Sequence, residues 1–167
     1  MDIKIRQYQP QDYKIVVEWM NKLQDYLVAI DPLHRMRRAD SYGESYTGRL
    51  LTKVKNNQGI IYLAEADKAV IGLVAGEIIT QTKEDLLESV PSKNGRILEL
   101  IVEDNFRGQG VGSSLMKEIE KYMISQKCEA VFIEVFGPNH LAHNFYKKFG
   151  YQDRSTNILK VLKNSPG

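Results

Sequence analysis

Arg107-Gly108-Gln109-Gly110-Val111-Gly112 places three glycines within five positions directly after an arginine. An apolar, strand-like run, Ile97-Leu98-Glu99-Leu100-Ile101-Val102, precedes it, and a helical pattern from about Val111 to Ser125 follows. The first N–H groups of a helix have no acceptor inside it, and the aligned peptide dipoles add partial positive charge at that end. Glycines there let a ligand approach main chain that a Cβ would shield. Arg107 can add a charged contact, and Ser113 a further N–H or hydroxyl. The arrangement suits a phosphate. The alternative is a loop that needs only glycine's backbone angles, but a strand-to-helix junction favours the phosphate.

The elements that must hold this stretch follow from periodicity. Residues 3–8 alternate apolar and polar, as a half-buried strand does, and Pro10 ends them. Asp12 can cap a helix whose apolar stripe is Tyr13, Val16, Val17, Met20, Leu23, Leu27 and Ile30. After Asp31-Pro32 and a basic connector, His34 to Arg38, a second helix spans about 42–55, with Tyr42, Tyr46, Leu50 and Val54 four apart. Residues 60–66 and 69–79 read as a hairpin turning at Asp67-Lys68. Residues 80–95 read as a solvated loop with one helical turn, or as a substrate-facing segment carrying Glu84, Asp85 and Glu88. Ala130 to Val135 is apolar enough for a strand covered on both faces, and the strand–helix–strand passage makes it parallel to 97–102. A last helix spans about 140–149 with Leu141, Phe145 and Phe149 on one side, and Gly150 ends it. One or two closing strands are expected over 151–162, then a loose tail.

The totals bound the rest. The 167 residues suit one domain, 43% hydrophobic and 26% charged. A net charge of +2 gives no electrostatic argument for nucleic acid or an anionic membrane surface. One cysteine, Cys128, rules out an internal disulfide and a cysteine-based metal cluster, and the three histidines lack ligand spacing. No run is long enough to span a membrane, and Met1 to Lys4 lacks the build of a signal peptide. A cytoplasmic protein is expected.

Two nucleotide motifs fail. The triphosphate loop Gly-x-x-x-x-Gly-Lys-Ser/Thr is absent, and the dinucleotide fingerprint from Gly108 meets Ser113 where its third glycine belongs. Arg107-x-x-Gly110-x-Gly112 instead resembles the Arg/Gln-x-x-Gly-x-Gly/Ala signature of the GNAT acyltransferase family. Asn139-x-x-Ala142, with Tyr146, Gly150 and Tyr151 behind it, is similar to that family's second segment.

The resemblance implies an α/β (α+β) fold: one domain with a mixed, mostly antiparallel sheet of six to seven strands, a parallel pair at the cofactor site and about four helices. Residues 1–95 would serve the acceptor side and 96–151 the acetyl-CoA core; 152–162 would form the closing strands and 163–167 the tail. It implies direct acetyl transfer from acetyl-CoA to a primary amine, without a metal. The cradle would be Arg107, Gly108, Gln109, Gly110, Val111, Gly112 and Ser113. Main chain at Ile101 and Val102 would pair with the pantetheine arm and polarise the carbonyl. Asn139 would bind pantetheine or cap its helix, and Tyr146 would be the general acid.

Glu99, between apolar Ile97 and Ile101, is the candidate base, its pKa raised by burial; a salt bridge to a neighbouring strand is the alternative. Glu77 and Glu134 are further candidates, His140 and His143 read as exposed, and ordered water can serve instead. A non-catalytic acyl-CoA-binding module is the competing reading. Homodimers are common in the family, and nothing in the sequence encodes one. The acceptor is not legible, because acidic 84–88 and basic 35–38 point to opposite charges.

Overall fold

The structure, a computed structural model, describes residues 2–162. Five strands form one sheet in the order β1-β2-β3-β4-β5. They are β1 (Lys4–Gln7), β2 (Ile60–Ala66), β3 (Ala69–Ile79), β4 (Asn94–Val102) and β5 (Ala130–Ile133). The first four are antiparallel neighbours, and β4 and β5 are parallel. The helices are α1 (Tyr13–Ala29), α2 (Tyr42–Asn56), the single turn α3 (Asp85–Glu88), α4 (Val111–Ser125) and α5 (His140–Lys148).

The expected elements form up to the last helix, and the β2–β3 hairpin turns on Asp67 and Lys68 at φ 49° and 67°, the sign a type I′ turn requires. Asp12 does not cap α1 as expected. Its carboxylate accepts from the Gln9 N–H at 2.7 Å and from both terminal nitrogens of Arg6, tying β1 to the turn that opens α1. The basic connector is similarly occupied. Asp31 accepts from the N–H groups of Leu33, Arg35 and Met36, and Arg38 pairs with Asp25.

The sheet separates two cores. On one face α1 and α2 bring Val16, Trp19, Met20 and Leu50 against Ile61, Leu63 and Leu73. On the other, α4 brings Val111, Leu115, Met116, Ile119 and Met123, with Tyr146 of α5, against Ile71, Val74 and Ile97. Each of these four helices has one apolar stripe, so it covers one face and leaves its other side to water, whereas the turn α3 buries no residue.

Three expectations need correction. The sheet has five strands among the described residues, not six or seven. Residues 152–160 are exposed and pair with no strand, and Ile158 and Leu162 are 88% and 84% exposed. The start of this segment is held beside α5, where Asp153 meets His143 and Lys147 at 2.7 Å, and Arg154 lies over the Phe132 ring. Those contacts carry it alongside β5 without a ladder. The expected tail, 163–167, lies outside the described residues. With no strand beyond it, β5 is a half-buried edge that ends at Ile133, rather than a strand covered on both faces to Val135. Leu141, assigned to the apolar side of the last helix, is 73% exposed; Ala142, Phe145, Tyr146 and Phe149 form the packed side.

Candidate active site

The site begins where a ladder stops. β4 and β5 pair from Asn94 and Ala130 to Ile97 and Ile133, and no further. β4 continues to Val102, so its last five residues, 98 to 102, have β3 on one side and no strand on the other. A strand with unpaired main chain on one side can accept an extended ligand as an added strand. Ile101 and Val102 lie on this open stretch.

At its end the chain makes a short 3-10 turn, Asp104–Phe106, and the glycine loop. Gly108 and Gly110 adopt φ 73° and 88°, values that L side chains rarely take. A Cβ at either would meet nothing within 4 Å, so the space over the loop is open to a ligand. Gly110 caps α4, and the Ser114 N–H bonds the Gly110 carbonyl at 2.9 Å. The N–H groups of Val111, Gly112 and Ser113 precede that first bond and have no acceptor within the helix. Gly112 lies over the Phe145 ring, where a Cβ would make an ordinary contact at 3.4 Å. Gln109 donates from Nε2 to the Asn105 carbonyl at 2.8 Å and so braces the loop.

Arg107 is exposed and already engaged. Its Nε donates to the Val102 carbonyl at 3.2 Å, it pairs with Asp104 at 2.7 Å, and its guanidinium stands 6.0 Å from the Tyr26 ring centre. Asn139 caps α5, its Oδ1 accepting from the Ala142 N–H at 3.2 Å and from the Tyr26 hydroxyl at 3.4 Å. Tyr26, unmarked in the sequence beyond its place on α1, thus reaches both halves of the loop region.

Tyr146 is buried, with Phe145 and Tyr151 set edge-on at 5.4 and 5.9 Å. Burial, and then the charge of Glu99, push its hydroxyl pKa well above the usual tyrosine range, so it keeps its proton at any working pH. Glu99 is half-buried, and desolvation raises its pKa to about 7 against the hydrogen bond from Tyr46 and the charge of Lys53. The carboxylate accepts from the Tyr46 hydroxyl. The salt bridge to a neighbouring strand does not form, since the residue opposite Glu99 on β3 is Ala75.

The expected neighbours of Glu99 are half right. The β3–β4 register shifts between Ala75 and Gly76, whose partners are Glu99 and Ile97, so Leu98 is unopposed. Ile101 stays on the α1–α2 side with Leu98, whereas Ile97 turns into the α4 core. A bulge adds one residue to one strand and reverses the alternation beyond it.

The other candidates lie elsewhere. Glu77 is buried near the opposite end of the sheet, held by Asn57 at 2.7 Å and facing Arg96 at 3.6 Å. Glu134 and His140 are exposed, and His143 pairs with Asp153. Among the described residues, no group of three or more His, Cys, Asp or Glu could hold a metal ion, and no helix is long and apolar enough to cross a membrane. Sequence reasoning missed Tyr46. Its signal was a tyrosine in a helical core stripe, where a buried hydroxyl needs a polar partner.

A parallel pair whose ladder stops at Ile97 and Ile133 and a glycine-capped helix thus frame the site. The model of the Acetyltransferase (GNAT) family matches residues 17–151. The chain belongs to the GNAT family. An N-alpha-acetyltransferase of Sulfolobus acidocaldarius is 30% identical over 138 residues, 80% of this chain and 77% of that one. An uncharacterized N-acetyltransferase of Methanocaldococcus jannaschii is 35% identical over 94 residues, 56% of this chain. The match spans about half of that relative, 53% of its length. Among solved structures, a mutant BH1408 protein of Bacillus halodurans superposes with a TM-score of 0.84 at 18% identity, covering 96% of this chain and 99% of that one. This GNAT chain thus shares the fold of that protein over nearly its whole length.

Proposed function

We propose that this GNAT domain transfers the acetyl group of acetyl-CoA to a primary amine, and that the amine is an α-amine. The reading rests on the early end of the β4–β5 ladder, which leaves Ile101 and Val102 open between the glycine loop and Tyr146. The glycine loop fits a pyrophosphate through its open space, its positive-φ glycines and the N–H groups of Val111, Gly112 and Ser113. Arg107 would turn from Asp104 to the phosphate, and Asn139 would meet the pantetheine arm. When bound, acetyl-CoA supplies an activated acyl carbon and a thiol leaving group.

The chain's own groups handle the protons. The amine nitrogen bonds to the acyl carbon as the carbon–sulfur bond breaks. Glu99 takes the proton the amine loses, and Tyr146 donates to the departing sulfur. A carboxylate with a pKa near 7 suits an α-amine, whose own pKa is about 7.7–8.0, better than a lysine ε-amine near 10.4. The N-alpha-acetyltransferase relative points to the same class of acceptor.

Acetyl-CoA turnover, followed with a thiol reporter across an amine panel, tests this. Peptides with free N-termini should outrun N-blocked lysine peptides, polyamines and aminoglycosides. A preference for a blocked lysine peptide would remove the α-amine, and acetyl-CoA binding without turnover on any amine would leave a binding module. Tyr146→Phe should lower kcat tenfold or more with acetyl-CoA affinity retained, since general acid catalysis is worth about 10²–10⁴. An unchanged kcat removes Tyr146 from the chemistry.

A further inference from the structure

The carboxylate that receives the proton is held from the far side by a group with no role assigned so far. Glu99 projects from β4 toward α2. From α2 it is faced by Tyr46, which donates to Oε1, by Tyr42, whose own pKa Glu99 raises, and by the charge of Lys53. From α5 the Tyr146 hydroxyl, raised in pKa chiefly by its own burial, also feels the charge of Glu99. From β3 its neighbour is Ala75, and β5 ends before reaching it. Tyr46 is therefore the side chain that the structure bonds directly to this carboxylate. The ring is held in turn. Tyr42, one turn earlier on α2, stacks on it with centroids 5.3 Å apart and planes 22° apart, and the Arg49 guanidinium stands 5.5 Å from its centre.

We infer that Tyr46 is a positioning residue for Glu99: its hydroxyl holds Oε1 so that Oε2 is the atom presented to the acceptor amine. This deepens the reading above and rests on Glu99 being the proton acceptor. A buried tyrosine needs only some polar partner, and main-chain carbonyls would serve. A carboxylate partner instead gives a charge-assisted bond that orients the acid group as well as satisfying the hydroxyl. Such a bond favours the ionised form, and Lys53 acts in the same direction, while burial opposes both. The stacked Tyr42 and Arg49 remove the ring's freedom to turn away. The base would thus be assembled from two elements, the strand supplying the carboxylate and α2 its orientation.

The test reads the carboxyl directly. Protein labelled with carbon-13 at the glutamate side-chain carboxyl is titrated by NMR, with Glu99→Gln identifying the resonance. Wild type should titrate near pH 7. Tyr46→Phe should move that midpoint up by about one to two pH units, the value of a hydrogen bond to a charged group. Should Tyr46→Phe fold poorly, 3-fluorotyrosine placed at position 46 keeps the shape and strengthens the donor, and should move the midpoint down. The acidic limb of the kcat/KM profile, measured with the best amine of the panel, should move with it. A midpoint unmoved in folded Tyr46→Phe overturns the positioning role and leaves Glu99 as the base. A midpoint that moves while the limb stays fixed overturns it the other way, through the failure of Glu99 itself.

Discussion

The burial of Glu99 has a consequence for stability, whatever its part in the chemistry. In the unfolded chain a glutamate releases its proton near pH 4.3. In the fold, desolvation holds the proton on to about pH 7. Between those values the folded state binds more protons than the unfolded one, so stability falls as pH rises through the window and is level above it. Glu99→Gln removes that slope. Its Tm should exceed the parent's by a few degrees at pH 8 and come close to it at pH 4. Parallel Tm profiles for the two proteins would sink the burial account. Tyr146 behaves differently. Its pKa is raised beyond the working range by burial and then by the charge of Glu99, so it should contribute no limb to a pH profile. Glu99 and Tyr146 stood out in the sequence as candidates, but the partner of Glu99 did not. Tyr46 lies 53 positions away, and no pattern in the chain joins a helix tyrosine to a strand glutamate.

Two turns show how elements meet the site's requirements. Gly110 adopts φ 88° as the cap of α4. Any other residue there costs about 1–2 kcal/mol, and an acidic one would place a like charge beside the proposed phosphate position. Gly110→Asp should abolish measurable acetyl-CoA binding by calorimetry while the protein stays folded with a slightly lower Tm. Retained affinity would show that the loop is not the cradle. The Asp67-Lys68 turn carries the same backbone strain outside the glycine loop, with Lys68 at φ 67°. Lys68→Gly should raise the urea midpoint, by about 1 kcal/mol in stability, with no effect on turnover. At this scale the sequence was most informative. α4 starts at Val111, and the hairpin turns on the two residues that periodicity and turn chemistry indicate. The bulge opposite Ala75 left no mark, because apolar residues on both sides of Leu98 hide a change of alternation.

Across the whole molecule, the sheet holds α1 and α2 on one face and α4 and α5 on the other. The candidate site lies where Tyr26 and Lys22 of α1 reach over to Asn139, Arg107 and Glu103. The α1–α2 face depends on β1 being fastened to the rest. Arg6 does this, bonding Asp12 at 2.7 and 2.8 Å and Glu65 of β2 at 2.7 Å. The Asp12 carboxyl is nearly buried, and the Arg6 hydrogen bond holds its pKa below the usual carboxylate range. Its stabilisation is therefore present above about pH 4 and is lost as pH falls through the depressed folded value. Arg6→Ala strands that carboxylate and should cost about 1–3 kcal/mol in a urea titration at neutral pH, with a smaller loss in acid where Asp12 is protonated. An equal loss at both pH values would assign the effect to packing of the arginine stem.

Composition, periodicity and two spaced motifs determined the order of elements, the parallel pair, the glycine loop at a helix start and the family, because all of these are local or repeat along the chain. Tertiary structure alone decided where the β4–β5 ladder ends, that the sheet closes at five described strands, and that Glu99 is served by Tyr46 rather than by a neighbouring strand. Each of these depends on which main-chain groups find a partner and which side chains lose water. Those questions are answered by residues far apart in the chain, so no local pattern encodes them.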